Sequence, residues 1–211
     1  MANTHYNQIA GQKIGRIEAL SDGVFAIALT LLVLEIKVPE IHVHTEAELW
    51  DVLKELSPKF LSYFLSFMTM GIFWTGQALQ LSYMEKYDRN LNWNALFFLL
   101  FVSLLPFTTA FLGEYTHFKL AIGLYWLNIF VLGLLLFIHW NYAVKKGFVE
   151  MQEADQLQSI NKAVKSRIIT AQALYLLGAL LCFINVYLSI GFIILVQLNY
   201  AFAIIKNKIF K

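Results

Sequence analysis

One basic and two acidic residues precede a long apolar run near the N-terminus. Arg16, Glu18 and Asp22 lead into the apolar stretch 23–34, which is interrupted only by Thr30. Ionisable side chains at membrane depth are costly, so they usually face protein or water and usually have a functional role. The pattern therefore predicts a helix that borders an aqueous path.

The apolar run has a face that could line such a path. Ile27, Leu31 and Leu34 follow one another at i, i+4 and i+7, and Thr30 lies at the edge of the same face. Several copies of this helix around an axis would form stacked apolar rings with one hydroxyl ring. Narrow apolar rings gate by dewetting, and oxygen-lined layers help ions lose water. Ordinary helix packing also fits the stripe, but charges at both ends of the helix favour a pore wall.

The acidic residues at the start of this helix need partners elsewhere. Glu18 and Asp22 are like charges at i, i+4, which is unfavourable on an isolated helix. Polar residues of the second and third apolar segments are candidate hydrogen-bond partners for Asp22: Ser62, Ser66, Thr69, Gln77, Gln80, Asn92 and Asn94. We therefore expect Asp22 to be a structural anchor rather than a catalytic carboxylate.

The composition indicates what holds this helix. Of 211 residues, 59% are hydrophobic and 14% are charged, against about 45–50% and about 25% in soluble domains. Five apolar segments are present, and the last would be about 57 Å long as one helix, nearly twice the hydrocarbon core of about 30 Å. It must fold back near residues 185–191, which predicts an all-α polytopic membrane protein with six transmembrane helices in one domain, residues 1–211. The segments are 17–38, 60–84, 91–112, 118–144 and 168–205.

The basic residues predict the orientation of the six spans. Four lie on one side of the predicted membrane: Lys37, Lys54, Lys59 and Lys119. The other twelve share the side of both termini: Lys13, Arg16, Lys86, Arg89, Lys145, Lys146, Lys162, Lys165, Arg167, Lys206, Lys208 and Lys211. Because cytoplasmic loops carry the excess of Lys and Arg, both termini are expected to be cytoplasmic.

Other chemistry has little support in the sequence. The exterior stretch 40–59 predicts a short amphipathic helix with a Thr45–Glu48 capping box. His42 and His44 nearby lack a defined third ligand, so no metal site and no cofactor are predicted. No nucleophile triad or P-loop pattern is present, which argues against an enzyme. A net charge of +2 gives no indication of nucleic-acid binding, and His139 beside Trp140 is expected at a membrane interface.

The start of the first helix resembles a known family. Bacterial homologues of the endolysosomal potassium channel carry the signature Arg-x-x-x-Phe-Ser-Asp, and this chain supplies Arg16, Ser21 and Asp22 with leucine in place of the phenylalanine. Trp74 and the stretch 104–109, Leu-Leu-Pro-Phe-Thr-Thr, are also similar to the family. Where the family often has histidine three residues after that tryptophan, this chain has glutamine.

The resemblance implies a potassium-preferring cation channel without the usual pore loop or selectivity filter. It implies a homotetramer in a lipid bilayer, here a bacterial inner membrane, in which the first helix lines a central pore. Ile27 matches the narrowest apolar ring, Leu31 and Leu34 match the next rings, and Thr30 matches a hydroxyl layer linked to selectivity. The signature and its structural network correspond to Arg16, Ser21, Asp22, Trp74, Gln77 and Asn94.

Two other classes of function compete with a channel. A secondary transporter, coupled to protons or other ions, is the main alternative, although the chain has neither an internal repeat nor paired Gly or Pro breaks at mid-membrane. A membrane enzyme is disfavoured because the sequence offers no convergent set of titratable residues.

Overall fold

The protein is a bundle of α-helices. The computed structural model describes residues 14–149 and 154–202. Both chain termini, for which the sequence predicts a cytoplasmic side, lie outside the described residues. The described parts form eight α-helices: α1 (Ile14–Leu34), α2 (Glu46–Glu55), α3 (Ser57–Ser82), α4 (Arg89–Ser103), α5 (Leu105–Glu114), α6 (Lys119–Lys145), α7 (Ala154–Leu180) and α8 (Val186–Phe202).

Four helical stretches are long and apolar enough to cross a membrane, and α8 is a shorter apolar helix. The four are Ile14–Leu34, Arg89–Glu114, Lys119–Lys145 and Asp155–Phe183. An all-α, multi-pass membrane protein is therefore confirmed. The first span ends at Leu34, four residues before the predicted limit. Its 21 residues already cover about 31 Å, the thickness of the hydrocarbon core.

The third predicted segment is divided into α4 and α5 at Leu104. Pro106 is the second residue of α5 and has no N–H to donate to the carbonyl of Val102. The Leu104 N–H at the break bonds to the carbonyl of Leu100 at 3.2 Å. The hydroxyls of Ser103 and Thr109 bond to helix carbonyls on either side of the break, at 2.7 Å each. The proline therefore interrupts the helix within the span, and neighbouring hydroxyls bond to carbonyls around the break.

The last predicted segment is divided, as expected, into α7 and α8, but the break lies at residues 181–185, just before the predicted stretch 185–191. A 3-10 turn covers Leu181–Phe183, and Asn185 then caps α8: its side-chain oxygen accepts the backbone N–H groups of Tyr187 and Leu188 at 2.8 and 3.2 Å. Asparagine is a preferred N-cap because its short side chain satisfies N–H groups that lack a partner in the first turn.

The packing of the bundle fixes the position of α1. This helix lies against α3, α4 and α5, while α6 joins α4 to α7, and α8 packs on both α7 and α3. The contact of α1 with its neighbours is aromatic: the rings of Phe25 and Phe98 are 6.0 Å apart, and Phe98 meets Phe73 of α3 at 6.2 Å. The first helix is therefore held by one side only.

The exterior connection between α1 and α3 contains the predicted amphipathic helix, α2. Thr45 is its N-cap, and the Thr45 hydroxyl accepts the N–H of Glu48 at 3.3 Å. The Glu48 carboxylate accepts the N–H of His44 at 2.8 Å, one residue earlier than in a regular capping box. None of the α2 side chains is buried in the subunit.

Candidate pore-lining helix and its supporting contacts

One face of α1 is buried against the rest of the subunit. Its buried residues recur every three or four positions, as one stripe of an α-helix does, and they comprise Ile17, Ser21, Phe25, Ala28 and Leu32. Four of them are apolar, and Phe25 and Leu32 are almost completely enclosed. This stripe therefore sets the rotation of α1 about its own axis and decides which residues face outward.

The residues that the sequence assigns to the pore lie on the outward side of α1. Ile27 is 62% exposed, Leu34 is 65% exposed and Leu31 is 42% exposed in the single subunit. Ile27 and Leu34 also belong to a row of exposed positions with alternating steps of four and three residues: Arg16, Leu20, Gly23, Ile27, Thr30 and Leu34. A 3.5-residue repeat is the spacing at which helices pack along a common seam.

Thr30 presents an oxygen on this outward side. Its hydroxyl donates to the carbonyl of Ile27 at 2.8 Å, and the side chain is exposed. Because the hydroxyl proton is used within the helix, the lone pairs of the oxygen are available to an external donor or cation. The position can therefore offer an acceptor, which is the group a partly dehydrated cation needs.

Asp22 and Trp74 are brought together by the fold. The indole Nε1–H of Trp74 donates to a carboxylate oxygen of Asp22 at 2.8 Å, a distance typical of a charge-assisted hydrogen bond. Both side chains are exposed in the single subunit. The bond joins the start of α1 to the middle of α3. Trp74 was not among the partners that the sequence offered for Asp22, and the anchoring role of the aspartate stays a prediction.

The other signature residues are not all joined to this pair. Gln77 and Ser21 are buried, at 2% and 3% exposure, and Asn94 is partly buried. The hydroxyl of Ser21 and the side-chain oxygen of Asn94 have no hydrogen-bond partner within the described part of the chain. Arg16 is exposed and forms no ion pair with any described residue. The connected part of the predicted network is thus the pair Asp22–Trp74.

The polar stripe of α3, which the sequence offered as a partner for Asp22, faces the interior of the subunit instead. The Tyr125 hydroxyl lies 3.3 Å from Ser66 and 3.0 Å from Thr69, and Gln197 donates to Thr69 at 2.7 Å. Thr109 of α5 donates to Ser66 at 2.5 Å. These bonds tie α3 to α5, α6 and α8 and leave only the opposite side of α3 to meet α1.

A second buried cluster surrounds His139. The amide nitrogen of Gln80 donates to the Leu136 carbonyl at 3.1 Å, so the Gln80 oxygen must accept the Nδ1–H of His139, also at 3.1 Å. In the neutral imidazole the other nitrogen then accepts the Tyr87 hydroxyl, 3.2 Å away. His139 is 2% exposed and is surrounded by protein. Its expected position at a membrane interface stays a prediction.

Tyr87 itself lies in the connection between α3 and α4. Its hydroxyl is also 3.1 Å from the carbonyl of Leu91. Burial raises the pKa of the Tyr87 phenol above its usual range, and the neighbouring Asp88 carboxylate adds to the rise. This phenol is therefore neutral at neutral pH.

Charged residues are concentrated at the end of α1 that leads to α2. Glu35 and Lys37 line a groove of about 290 Å³ together with the ion pair Lys59–Glu114, whose nitrogen and oxygen are 2.9 Å apart. The pair joins α3 to α5, and its partial exposure limits its contribution to stability.

In the part of the chain that the structure covers, no group of three or more His, Cys, Asp or Glu residues could hold a metal ion, and His42 and His44 are exposed.

The chain is similar to known channels over most of its length. The family model of the endosomal/lysosomal potassium channel TMEM175 matches residues 16–106. A potassium channel of Chamaesiphon minutus is 35% identical, with 89% of this chain and 93% of that protein covered. A potassium channel of Chryseobacterium is 30% identical, with 87% and 90% covered. The crystal structure of a lysosomal potassium-selective channel TMEM175 homologue from Chamaesiphon minutus has a TM-score of 0.78 at 30% identity and covers 90% of this chain and 97% of that one.

Proposed function

The chain belongs to the endosomal/lysosomal potassium channel TMEM175 family, and on this premise we propose that it forms a potassium-preferring cation channel. Four subunits surround a central pore, and α1 of each subunit lines it. The relatives' description as potassium channels supports the permeant ion. Conduction is passive, and the pore needs no cofactor beyond the permeating potassium ion.

The observation that carries this proposal is the outward face of α1. Ile27 and Leu34 are both more than 60% exposed in the single subunit, although they lie on a helix apolar enough to span a membrane. One helix cannot enclose a water path, but several copies meeting along this face can. Closed rotational symmetry is the usual arrangement of identical subunits, and the regular row of exposed positions supports close approach at Gly23.

The proposed pore has two kinds of layer. Ile27 forms the narrowest apolar ring, and Leu31 and Leu34 form wider apolar rings toward the exterior. Thr30 lies between them and offers one hydroxyl oxygen from each subunit, with its proton already donated to the Ile27 carbonyl. Apolar rings give a dewetting barrier, and an oxygen layer partly replaces the ion's hydration shell.

The signature residues support this helix rather than conduct. The Trp74–Asp22 hydrogen bond fixes the start of α1 against α3, and Ser21 of α1 and Gln77 of α3 are both buried. Arg16, at the start of the exposed row, and Asn94 of α4 complete the set that the family resemblance assigns to the network. Their proposed role is to hold the pore face toward the axis.

The proposed topology has six transmembrane helices in one domain, residues 1–211. The two proposed spans beyond the four stretches that are long and apolar enough to cross a membrane are α3, with 26 residues, and α8, with 17 residues. Basic residues favour cytoplasmic termini, and the similarity to bacterial channels favours a bacterial inner membrane. This arrangement leaves α2 and the groove at Glu35 on the exterior.

The proposal is tested by changing the constriction. Ile27→Asn should wet the ring, increase single-channel conductance and move the reversal potential under a potassium–sodium gradient toward zero. Val33→Asn is the matched control, since Val33 is also exposed but lies about 120° away around α1. Purified protein in a planar bilayer provides both readouts. Unchanged conductance and reversal potential in Ile27→Asn would show that Ile27 does not line the pore. Saturable, proton-coupled flux without single-channel steps would instead favour a transporter.

A further inference from the structure

Helix α2 has an apolar side that remains exposed in the subunit. Leu49, Trp50 and Leu53 lie within about 100° of one another around the helix, and Trp50 is 61% exposed. The opposite side is charged. The helix carries one basic and four acidic residues: Lys54, Glu46, Glu48, Asp51 and Glu55. A charged side opposite an apolar side is typical of a helix that lies at a boundary between water and an apolar phase.

The inner side of α2 meets the connection between α5 and α6. Val52 is partly buried, and Leu56, which ends α2 and begins α3, is buried. Glu55 and Leu56 line a second groove, of about 290 Å³, together with Thr116 and His117 of this connection. The last turn of α2 is therefore held at the connection, and the exposed apolar side extends beyond the contact area.

Two contacts show that α2 lies at one end of the helix bundle. The Lys59 nitrogen is 2.9 Å from a carboxylate oxygen of Glu114, which joins the start of α3 to the end of α5. The Tyr187 hydroxyl is 3.4 Å from Nδ1 of His117, which joins the start of α8 to the α5–α6 connection. Because α2 runs directly into α3, it lies at the same end of the bundle.

This end of the bundle also carries a group of exposed aromatic side chains. They are Phe60, Tyr115, Phe118, Phe183 and Tyr187. The Lys119 ammonium lies among them, 5.1 Å from the centre of the Phe183 ring. Tyrosine and tryptophan are enriched at the membrane–water interface, where they form aromatic belts, and lysine extends its charged head from such a belt into water. Helix α2 therefore leaves the bundle at the level of an aromatic belt.

These observations select a lipid surface as the cover of the apolar side. The segment that follows α2 is the proposed span α3, so α2 lies next to the proposed membrane boundary. Water alone would leave three large apolar side chains on one side of the helix without cover. A second copy of α2 packed on this side would bring two acidic helices together. Glu46 shares the apolar side, but it lies in the first turn, where its charge favours the helix N-terminus and a slight tilt keeps it in water.

We propose that α2 lies on the surface of the lipid bilayer and inserts Leu49, Trp50 and Leu53 below the phospholipid headgroups. Its partner is a zwitterionic phospholipid surface, because the acidic side of the helix disfavours an anionic one. The inserted helix ties the connection between α1 and α3 to the membrane. This inference rests on the proposed topology, in which α3 is a span, but not on conduction or on the identity of the permeant ion.

The test measures which solute reaches each side of α2. A nitroxide spin label is attached in Leu53→Cys or in Asp51→Cys, each in a Cys182→Ser background, since Cys182 is the only cysteine. Asp51→Cys is the matched control, because Asp51 lies about 160° from Leu53 around the helix. The full-length protein is placed in phosphatidylcholine nanodiscs. Power saturation then compares collisions of the label with oxygen, which concentrates in lipid, and with a water-soluble nickel chelate.

The ratio of oxygen to nickel collisions should be roughly fivefold higher or more in Leu53→Cys than in Asp51→Cys, as expected for insertion to a depth of about 5–10 Å. A smaller difference would mean that water reaches both sides, and it would overturn the proposal. Low collision rates with both reagents in Leu53→Cys would mean that protein covers the apolar side, which would also overturn it. Neither outcome depends on ion flux, so failure of this inference is distinguishable from failure of the proposed channel.

A second measurement needs no introduced label. Trp50→Phe keeps an aromatic ring, and the difference in fluorescence between the parent and this variant is the emission of Trp50. Phosphatidylcholine brominated on the upper part of its acyl chains should quench this emission, whereas iodide in the water should quench it little. The reverse pattern, or quenching by neither reagent, would overturn the proposal even where a cysteine variant does not fold.

Discussion

The hydrogen bond between Trp74 and Asp22 can be tested by a double-mutant cycle. Trp74→Phe removes the indole N–H and keeps an aromatic ring, while Asp22→Ala removes the acceptor. The cycle with the double variant isolates the energy of the pair from the other effects of each substitution. If the bond anchors α1, the two single variants should each lower stability, and the second substitution should cost less when the first is present.

The size of the coupling follows from the geometry. Interhelical hydrogen bonds in membrane proteins contribute about 0.6 kcal/mol on average and about 1.7 kcal/mol at most. The ionised acceptor and the 2.8 Å length place this bond in the upper part of that range, while the exposure of both side chains reduces it. We expect a coupling of about 0.6–1.5 kcal/mol. In a chain of this length, that corresponds to a fall of about 1–6 °C in the unfolding midpoint of Trp74→Phe.

The assay is thermal unfolding of the assembled protein in detergent, combined with size measurement and bilayer recording. Trp93→Phe is the matched control, because Trp93 is 50% exposed on α4 and its indole forms no hydrogen bond with a described residue. Asp22→Ala should reduce assembly or stability more than it changes ion preference. Strictly additive single variants, or a stable and fully assembled Asp22→Ala protein with altered selectivity alone, would refute the anchoring role.

Two further predictions concern the interior of the subunit. Tyr125→Phe deletes the hydroxyl that contacts Ser66 and Thr69, so it should lower the free energy of unfolding by about 1–3 kcal/mol and the unfolding midpoint by several degrees. Tyr63→Phe removes no hydrogen bond to a described residue and should leave the midpoint unchanged. Equal midpoints of the two variants would contradict the network. Because the folded-state pKa of Tyr87 is raised, its contribution to stability should be complete below about pH 10, the unfolded value, and should be lost as the pH rises further. Tyr87→Phe should therefore weaken the alkaline fall in stability, and an unchanged pH profile would contradict the burial of this phenol.

Several elements of the fold could be predicted because their causes are local. Pro106 lacks an amide proton and therefore separates α4 from α5 wherever the segment packs. The length of the last apolar block forces a turn, and Asn185 supplies a suitable cap for α8. In the same way, Thr45 and Glu48 specify the start of α2 through bonds within four residues.

The end of α1 was harder to predict from composition. Ile36 and Val38 alternate with Glu35 and Lys37, and the sequence placed the helix limit at Val38, just before Pro39. The structure ends the helix at Leu34, and the N–H groups of Glu35 and Ile36 form turn-like bonds to the residues three positions earlier. Hydrophobicity identifies a segment that can enter a membrane, but it does not fix the residue at which regular hydrogen bonding stops.

The direction of the polar stripe on α3 depends on packing that the sequence does not specify. Spacing correctly groups Ser66 and Thr69 on one helix face, yet the same face could meet α1 or the bundle interior. Their partners, Tyr125 and Gln197, lie 56 and 128 positions away from Thr69. His139 is another such case, because burial beside Gln80 and Tyr87 cannot be read from its neighbour Trp140. For α1, in contrast, the spacing placed Ile27 and Leu34 on one face, and both are exposed in the single subunit, while their place in a pore stays a prediction.

The central claim, that Ile27 faces a shared axis, is tested most directly by disulfide crosslinking. Cys182 is the only cysteine and is buried between α7 and α8, so Ile27→Cys in a Cys182→Ser background carries a single reporter thiol. Val33→Cys in the same background is the control on another side of α1. Oxidation of Ile27→Cys should produce covalent dimers within an assembly of four-subunit mass, with much less product from Val33→Cys. A monodisperse monomer that still conducts, or equal crosslinking at the two positions, would contradict the central pore.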